Sequence, residues 1–214
     1  MSRGSLGLFR SDDRRSAIER ARRLVLQTTS LAKLPRPVAL FWWRALRRAQ
    51  AEGDTWSIDV ACRPAELRVL LDVLAGARRV AEIGTAAAWT TSCIALARPD
   101  RTVLSWDVEA HPERERYLAL LTDADRARVT LFDRPGGRGP ADPPFVDAVF
   151  VDSSHELEET VETFRTWEPA LPAGGVVAFH DWQDDAYPGV TEAVRELGLL
   201  GEARGHLFVW RKPA

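Results

Sequence analysis

Cysteine is scarce in this chain of 214 residues: only Cys62 and Cys93 occur, far apart, in apolar settings and outside any metal-binding spacing. Two such thiols make neither a disulfide framework nor a zinc motif, so a reduced, cytoplasmic protein is expected. Long apolar runs are missing too. Nothing approaches the roughly 18 to 20 residues of a membrane span, and residues 1–10 carry neither the apolar stretch nor the cleavage site of a secretory leader. Charge of one sign is not in excess either. A formal net charge of −2 draws the chain to neither nucleic acid nor an anionic bilayer, so neither is an expected partner.

What the chain has is enough apolar residue, 45%, for one substantial core. Residues 63–214 read as that domain, preceded by a helical extension or cap over 1–62. From Asp12 to about Ala51 the Arg-rich sequence predicts two helices broken at Pro35 and Pro37. Phe41-Trp42-Trp43 within it reads as the packed face of a helix, with a substrate lid or a homo-oligomer surface as alternatives.

The organising stretch is Val80-Ala81-Glu82-Ile83-Gly84-Thr85, followed by Ala86, Ala87, Ala88 and Trp89. An apolar run stops at an acid and a glycine and gives way to small, helix-compatible residues. That predicts strand, turn and helix, with free backbone N–H groups at the carboxyl edge of a sheet. A helix opening at Pro64 and ending by Gly76 leads into it. Further strands are expected at Thr102–Asp107, Val129–Phe132, Val146–Asp152, Val176–Phe179 and His206–Trp210, with helices from Pro112 to Leu121, from Leu157 to Ala170 and after Tyr187. Gly201 to Gly205 reads as a turn, and Arg134 to Pro140 as a loose Pro/Gly loop. Asp107 ends the second strand roughly 20 residues beyond the glycine turn, where nucleoside-binding folds place a carboxylate for ribose hydroxyls.

These residues resemble class I S-adenosylmethionine (SAM) dependent methyltransferases. Glu82-Ile83-Gly84-Thr85 is similar to their first motif, although Ala86 and Ala88 stand where the family usually has glycine. Alanine there costs on the order of 1 kcal/mol if φ is positive and nothing if it is negative. Asp152-Ser153-Ser154-His155, the Pro172-Ala173-Gly174-Gly175 turn, His180-Asp181 and Tyr187-Pro188-Gly189-Val190 look like the metal-dependent O-methyltransferase branch, which includes catechol and antibiotic-sugar enzymes. The resemblance covers about residues 63 to 211. It implies a doubly wound, mostly parallel seven-stranded α/β sheet. It also implies SAM contacts from Glu82, Gly84, Thr85, Ala86, Asp107, Asp133 and Asp152, a divalent cation on Asp152 and Asp181, and His155 as base.

The chemistry agrees with that placement. In such a sheet the ends of the first, fourth and fifth strands meet in one crevice, and two converging acids repel unless a cation lies between them. Oxygen ligands favour a hard ion such as Mg²⁺, which leaves His180 as an outer or substrate-contacting group. The expected activity is O-methylation of a small-molecule hydroxyl. Two rivals remain open: a non-catalytic SAM-binding scaffold, which would explain the alanines, and an NAD(P)-linked oxidoreductase, whose turn should read G-x-G-x-x-G.

Overall fold

The computed structural model describes residues 30–137 and 145–214. The first of the two expected N-terminal helices and the end of the Arg134 to Pro140 loop lie outside them. Seven strands form one sheet in the order β3-β2-β1-β4-β5-β7-β6. They are β1 Arg79–Ile83, β2 Thr102–Asp107, β3 Val129–Asp133, β4 Ala148–Val151, β5 Val176–Phe179, β6 Gly201–Arg204 and β7 Leu207–Arg211. Strands β1 to β5 pair in parallel, while β7 runs antiparallel to both β5 and β6. The stretch read as a turn at 201–205 is thus mostly the edge strand β6. Its small and polar residues are exposed or half-buried, so they lack the apolar run by which the other strands announce themselves.

The described helices are α1 Arg36–Glu52, α2 Thr55–Asp59, α3 Pro64–Val73, α4 Trp89–Leu96, α5 Glu113–Leu118, α6 Asp123–Arg126, α7 Leu157–Trp167 and α8 Pro188–Glu196. None is long and apolar enough to cross a membrane. Alternate strand residues face opposite layers. Val80, Ala148, Phe150 and Ala178 join one apolar cluster with α1, α3 and α4. Ala81, Val149, Val151, Val177 and Phe179 join another with Phe164, Trp167, Val190 and Val194. This two-sided burial accounts for the near-continuous apolar runs of β4 and β5.

Helix α1 belongs to the first of these clusters. Phe41 and Trp42 are buried, Trp42 meets Trp89 edge-on with ring centroids 5.8 Å apart, and its indole N–H donates to the Cys62 carbonyl at 3.4 Å. Trp43 points outward under the Arg47 guanidinium, 5.4 Å from the ring centre. The aromatic cluster is therefore mainly packing, and it fixes the chain entering α3.

Candidate active site

Strand order reverses between β1 and β4, and there the carboxyl ends of the strands splay to leave a crevice. A cleft of about 800 Å³ opens at this point. Among the residues around it are Gly84, Thr85, Ala86, Asp107, Asp152, His155 and Asp181.

Gly84 is required by contact as well as by its φ of 104°: a Cβ there would lie 1.8 Å from the Asp152 carbonyl oxygen. The β1 turn and the end of β4 are pressed together at this residue. Asp107 then holds the turn from the other side. Its Oδ2 accepts from the Thr85 N–H at 3.1 Å and the Ala86 N–H at 2.7 Å, and its Oδ1 accepts from the Glu109 N–H at 3.2 Å.

Ala86 and Ala88 have φ of 44° and 63°. Both adopt the left-handed conformation, which glycine reaches freely and alanine only with strain. The consequence for stability differs from that expected with negative φ. Half-buried Ala86 gains when replaced by glycine, by about 1 kcal/mol of relieved strain. Fully buried Ala88 gains little, because the loss of its packed methyl offsets that relief by about 0.8 kcal/mol. Urea unfolding of Ala86→Gly and Ala88→Gly separates the two, the midpoint rising clearly only in the first.

Two expected cofactor contacts are not brought to the cleft. Glu82 is fully buried inside the sheet, where its Oε2 accepts from the Ser105 hydroxyl at 2.6 Å and from the Thr91 hydroxyl. Burial outweighs these bonds and pushes its carboxyl up to about 8. It ties β1 to β2 and α4, and Thr85 joins the same network through Ser105 at 2.7 Å. Asp133 turns instead to Arg114, whose Nη1 donates to it at 2.7 Å. The Pro/Gly loop is tighter than its composition suggests: a Cβ on Gly136 would lie 2.7 Å from the Trp106 Cβ, and the Gly136 carbonyl accepts from the Trp167 indole at 2.9 Å.

Sequence reasoning passed over Arg114. Almost wholly buried, it donates from Nε to the Ala86 carbonyl at 2.8 Å and places Nη2 2.9 Å from Asp107. Nothing in its local pattern, Pro112-Glu113-Arg114-Glu115, distinguishes it from a solvated helical arginine.

At the ends of β4 and β5, four side chains meet. Donor atoms of Asp152, His155, His180 and Asp181 all lie within 4.8 Å of one another. His155 Nε2 is 3.3 Å from Asp152 Oδ1 and 2.9 Å from Asp181 Oδ2, while His180 Nδ1 is 3.2 Å from each of those same oxygens. His155 and Asp181 reach this arrangement with φ of 63° and 55°. Such conformations cost about 1 to 3 kcal/mol for non-glycine residues and concentrate at functional sites. The Tyr187 ring lies against His155 with centroids 4.4 Å apart and planes tilted by 32°.

Charge is strongly organised here. Burial favours neutral groups, but His180 and His155 together overcome it at Asp152 and hold that carboxyl at about 2. Asp181 is likewise lowered against its burial by the two imidazoles. Conversely, burial works to lower His155, but hydrogen bonds and charge from Asp152 and Asp181 raise it to about 9. His180 is raised in the same way against its burial, chiefly by Asp152. Two acids thus hold protons on two imidazoles, and a cation between the acids would compete with those protons.

Comparison with known proteins gives this geometry its context. Residues 81–182 match the family described as a methyltransferase domain. No curated protein matches the sequence. Among solved structures, SAH-bound PaMTH1 of Podospora anserina aligns over 100% of both chains with TM-score 0.63 at 13% identity. CalS11, a TDP-rhamnose 3'-O-methyltransferase of calicheamicin biosynthesis, aligns over 90% of this chain and 94% of that one, with TM-score 0.57 and 18% identity. TomG of Streptomyces achromogenes, an O-methyltransferase of tomaymycin synthesis solved with SAM, aligns over 78% and 89% respectively, with TM-score 0.56 and 20% identity. At these identities the likeness is one of fold, and the domain match removes the oxidoreductase alternative. Residues 81–182 thus match a methyltransferase domain, and the chain as a whole shares the fold of solved methyltransferases.

Proposed function

We propose that the chain transfers a methyl group from SAM to a hydroxyl of a small molecule, assisted by a divalent cation. The observation that carries this reading is the meeting of Asp152, His155 and Asp181 at the cleft that also contains the β1 turn. That TomG and CalS11 are O-methyltransferases of natural-product synthesis supports a hydroxyl acceptor.

The donor set fits a cation. Two lowered carboxylates at the strand ends are anionic at neutral pH, and their oxygens suit a hard ion such as Mg²⁺. Asp152 and Asp181 would hold it, with His180 Nδ1 lying 3.2 Å from each as an outer partner. Bound SAM supplies an electrophilic methyl, and a bound cation lowers the pKa of an acceptor hydroxyl. The chain's residues do the rest. Gly84, Thr85 and Ala86 present the β1 turn to the methionine end of SAM, and Asp107 turns a carboxylate toward its ribose. His155, whose ring lies against Tyr187 and whose Nε2 faces Asp152 and Asp181, takes the acceptor proton at Nε2 once the two acids no longer hold a proton there. Holding donor and acceptor in line supplies the remaining rate enhancement.

The role of Asp107 has a measurable consequence. Oδ2 is occupied by the turn, which leaves a lone pair on Oδ1 for one ribose hydroxyl. Losing a hydrogen bond to a charged group costs about 1.5 to 3 kcal/mol, so Asp107→Ala should weaken SAM at least tenfold by calorimetry. An unchanged affinity would remove Asp107 from the cofactor site. The proposed activity itself is tested by following labelled methyl from SAM into hydroxyl acceptors, with and without chelator. Transfer to nitrogen or carbon acceptors alone would replace this reading.

A further inference from the structure

His180 belongs to two clusters, and the function above uses only one. Its Nδ1 faces Asp152 and Asp181, while its Nε2 faces the other way, 3.8 Å from Glu66 Oε2. The Cys62 thiol completes a second group: donor atoms of Cys62, Glu66 and His180 also lie within 4.8 Å of one another. We propose that Cys62, Glu66 and His180 Nε2 form a second divalent-cation site, suited to a thiophilic ion of the Zn²⁺ class.

Four observations support it. First, His180 Nε2 is buried and has no hydrogen-bond partner of good geometry among the described residues. Second, the opposite ring nitrogen lies 3.2 Å from a carboxylate oxygen of Asp152 and of Asp181, the kind of neighbour that orients a metal-binding histidine. Third, zinc bonds of about 2.0 to 2.2 Å to nitrogen and oxygen in a tetrahedron place those atoms about 3.3 to 3.5 Å apart, so the 3.8 Å between Glu66 and His180 has only a few tenths of an ångström to close. Fourth, the ligands are held before any ion arrives. The Cys62 carbonyl accepts from Trp42 at 3.4 Å, its N–H donates to Thr90 Oγ1 at 3.3 Å, and Glu66 Oε2 is fixed by the Arg63 N–H at 3.2 Å.

A sulfur, a nitrogen and an oxygen donor select a borderline ion over Mg²⁺. All three residues line the cleft, so three protein ligands would leave a fourth position open to it. Binding replaces the Cys62 S–H proton and the His180 Nε2–H proton with the cation, and both protons pass to the buffer. The sequence concealed the site because its third ligand stands more than a hundred residues from the first two, where no cysteine spacing rule reaches.

Cobalt tests the proposal without relying on turnover. The full-length protein is freed of metal by chelation, then titrated with Co²⁺ in the absence of SAM. A thiolate-to-cobalt charge-transfer band is expected, displaced by Zn²⁺, lost in Cys62→Ser and retained in Cys93→Ser. Glu66→Gln should weaken this binding by at least the roughly 10- to 100-fold that follows loss of even an outer partner. Cobalt that binds to saturation with only weak ligand-field bands would overturn the second site while leaving a cation on Asp152 and Asp181. That outcome is read on the unmodified protein and does not depend on the variants folding. A charge-transfer band that survives in folded Cys62→Ser would overturn it equally.

Discussion

Removal of divalent cations is expected to abolish methyl transfer while leaving SAM affinity within about twofold. The two effects separate because the residues do. The β1 turn and Asp107 form the proposed cofactor end of the cleft, whereas the Asp152 and Asp181 side chains, just past β4 and β5, face His155 and His180, and Asp152 meets the turn through its backbone at Gly84. Without a cation the acids are neutralised by imidazolium instead, which raises His155 to about 9 and leaves it protonated at neutral pH. A protonated His155 cannot accept the hydroxyl proton, and the acceptor loses the several kcal/mol of charge stabilisation a Lewis acid supplies. Activity should return with Mg²⁺ or Mn²⁺, and cation uptake should release protons, seen as a buffer-dependent heat in calorimetry. Full turnover in excess chelator would leave a metal-independent enzyme acting by proximity.

The sequence reveals most of the sheet because β1, β2, β4 and β5 are apolar runs ended by charged or permissive residues. Thr102–Asp107 and Val176–Phe179 occupy the residues their pattern indicates. It reveals the site for the same reason, since a group just past a buried parallel strand lands on the carboxyl edge. Asp107, Asp152, His155 and Asp181 reach the cleft by that rule. Glu82 shows where the rule stops. It precedes the turn by two residues, still inside β1, so its side chain follows the strand's alternation into the interior and not the edge.

Conformation was less legible than position. Alanine at 86 and 88 argues for negative φ on local preference alone, yet both residues are left-handed. The Asp107 carboxylate and Arg114 seize the loop's N–H groups and a carbonyl from outside, and these tertiary bonds override the local preference. Arg114 and the Cys62–Glu66 pair were invisible for a related reason. Their importance lies in partners distant in sequence, which no window of neighbouring residues contains.

Replacing His155 by alanine should lower turnover by about 10² to 10⁴ with little change in the affinity of SAM. The imidazole faces two carboxylates from Nε2 at 2.9 and 3.3 Å and lies against the tilted Tyr187 ring, so its orientation is fixed before an acceptor arrives. Stability should not fall with the rate. Alanine at φ 63° remains strained as histidine was, while an unpaired charge between Asp152 and Asp181 is avoided once a cation holds them. The wild-type rate should rise with pH along a limb whose apparent pKa lies below the cation-free value of about 9, because neutralising the two acids withdraws the charge that raises it. In His155→Ala that limb should vanish or move upward, and high pH should rescue part of the rate as hydroxide replaces the base. A variant with unchanged turnover and an unchanged pH profile would mean that the proton leaves directly to solvent. His155 would then be a ligand-orienting residue, and the metal-lowered pKa of the acceptor would have to account for the chemistry alone.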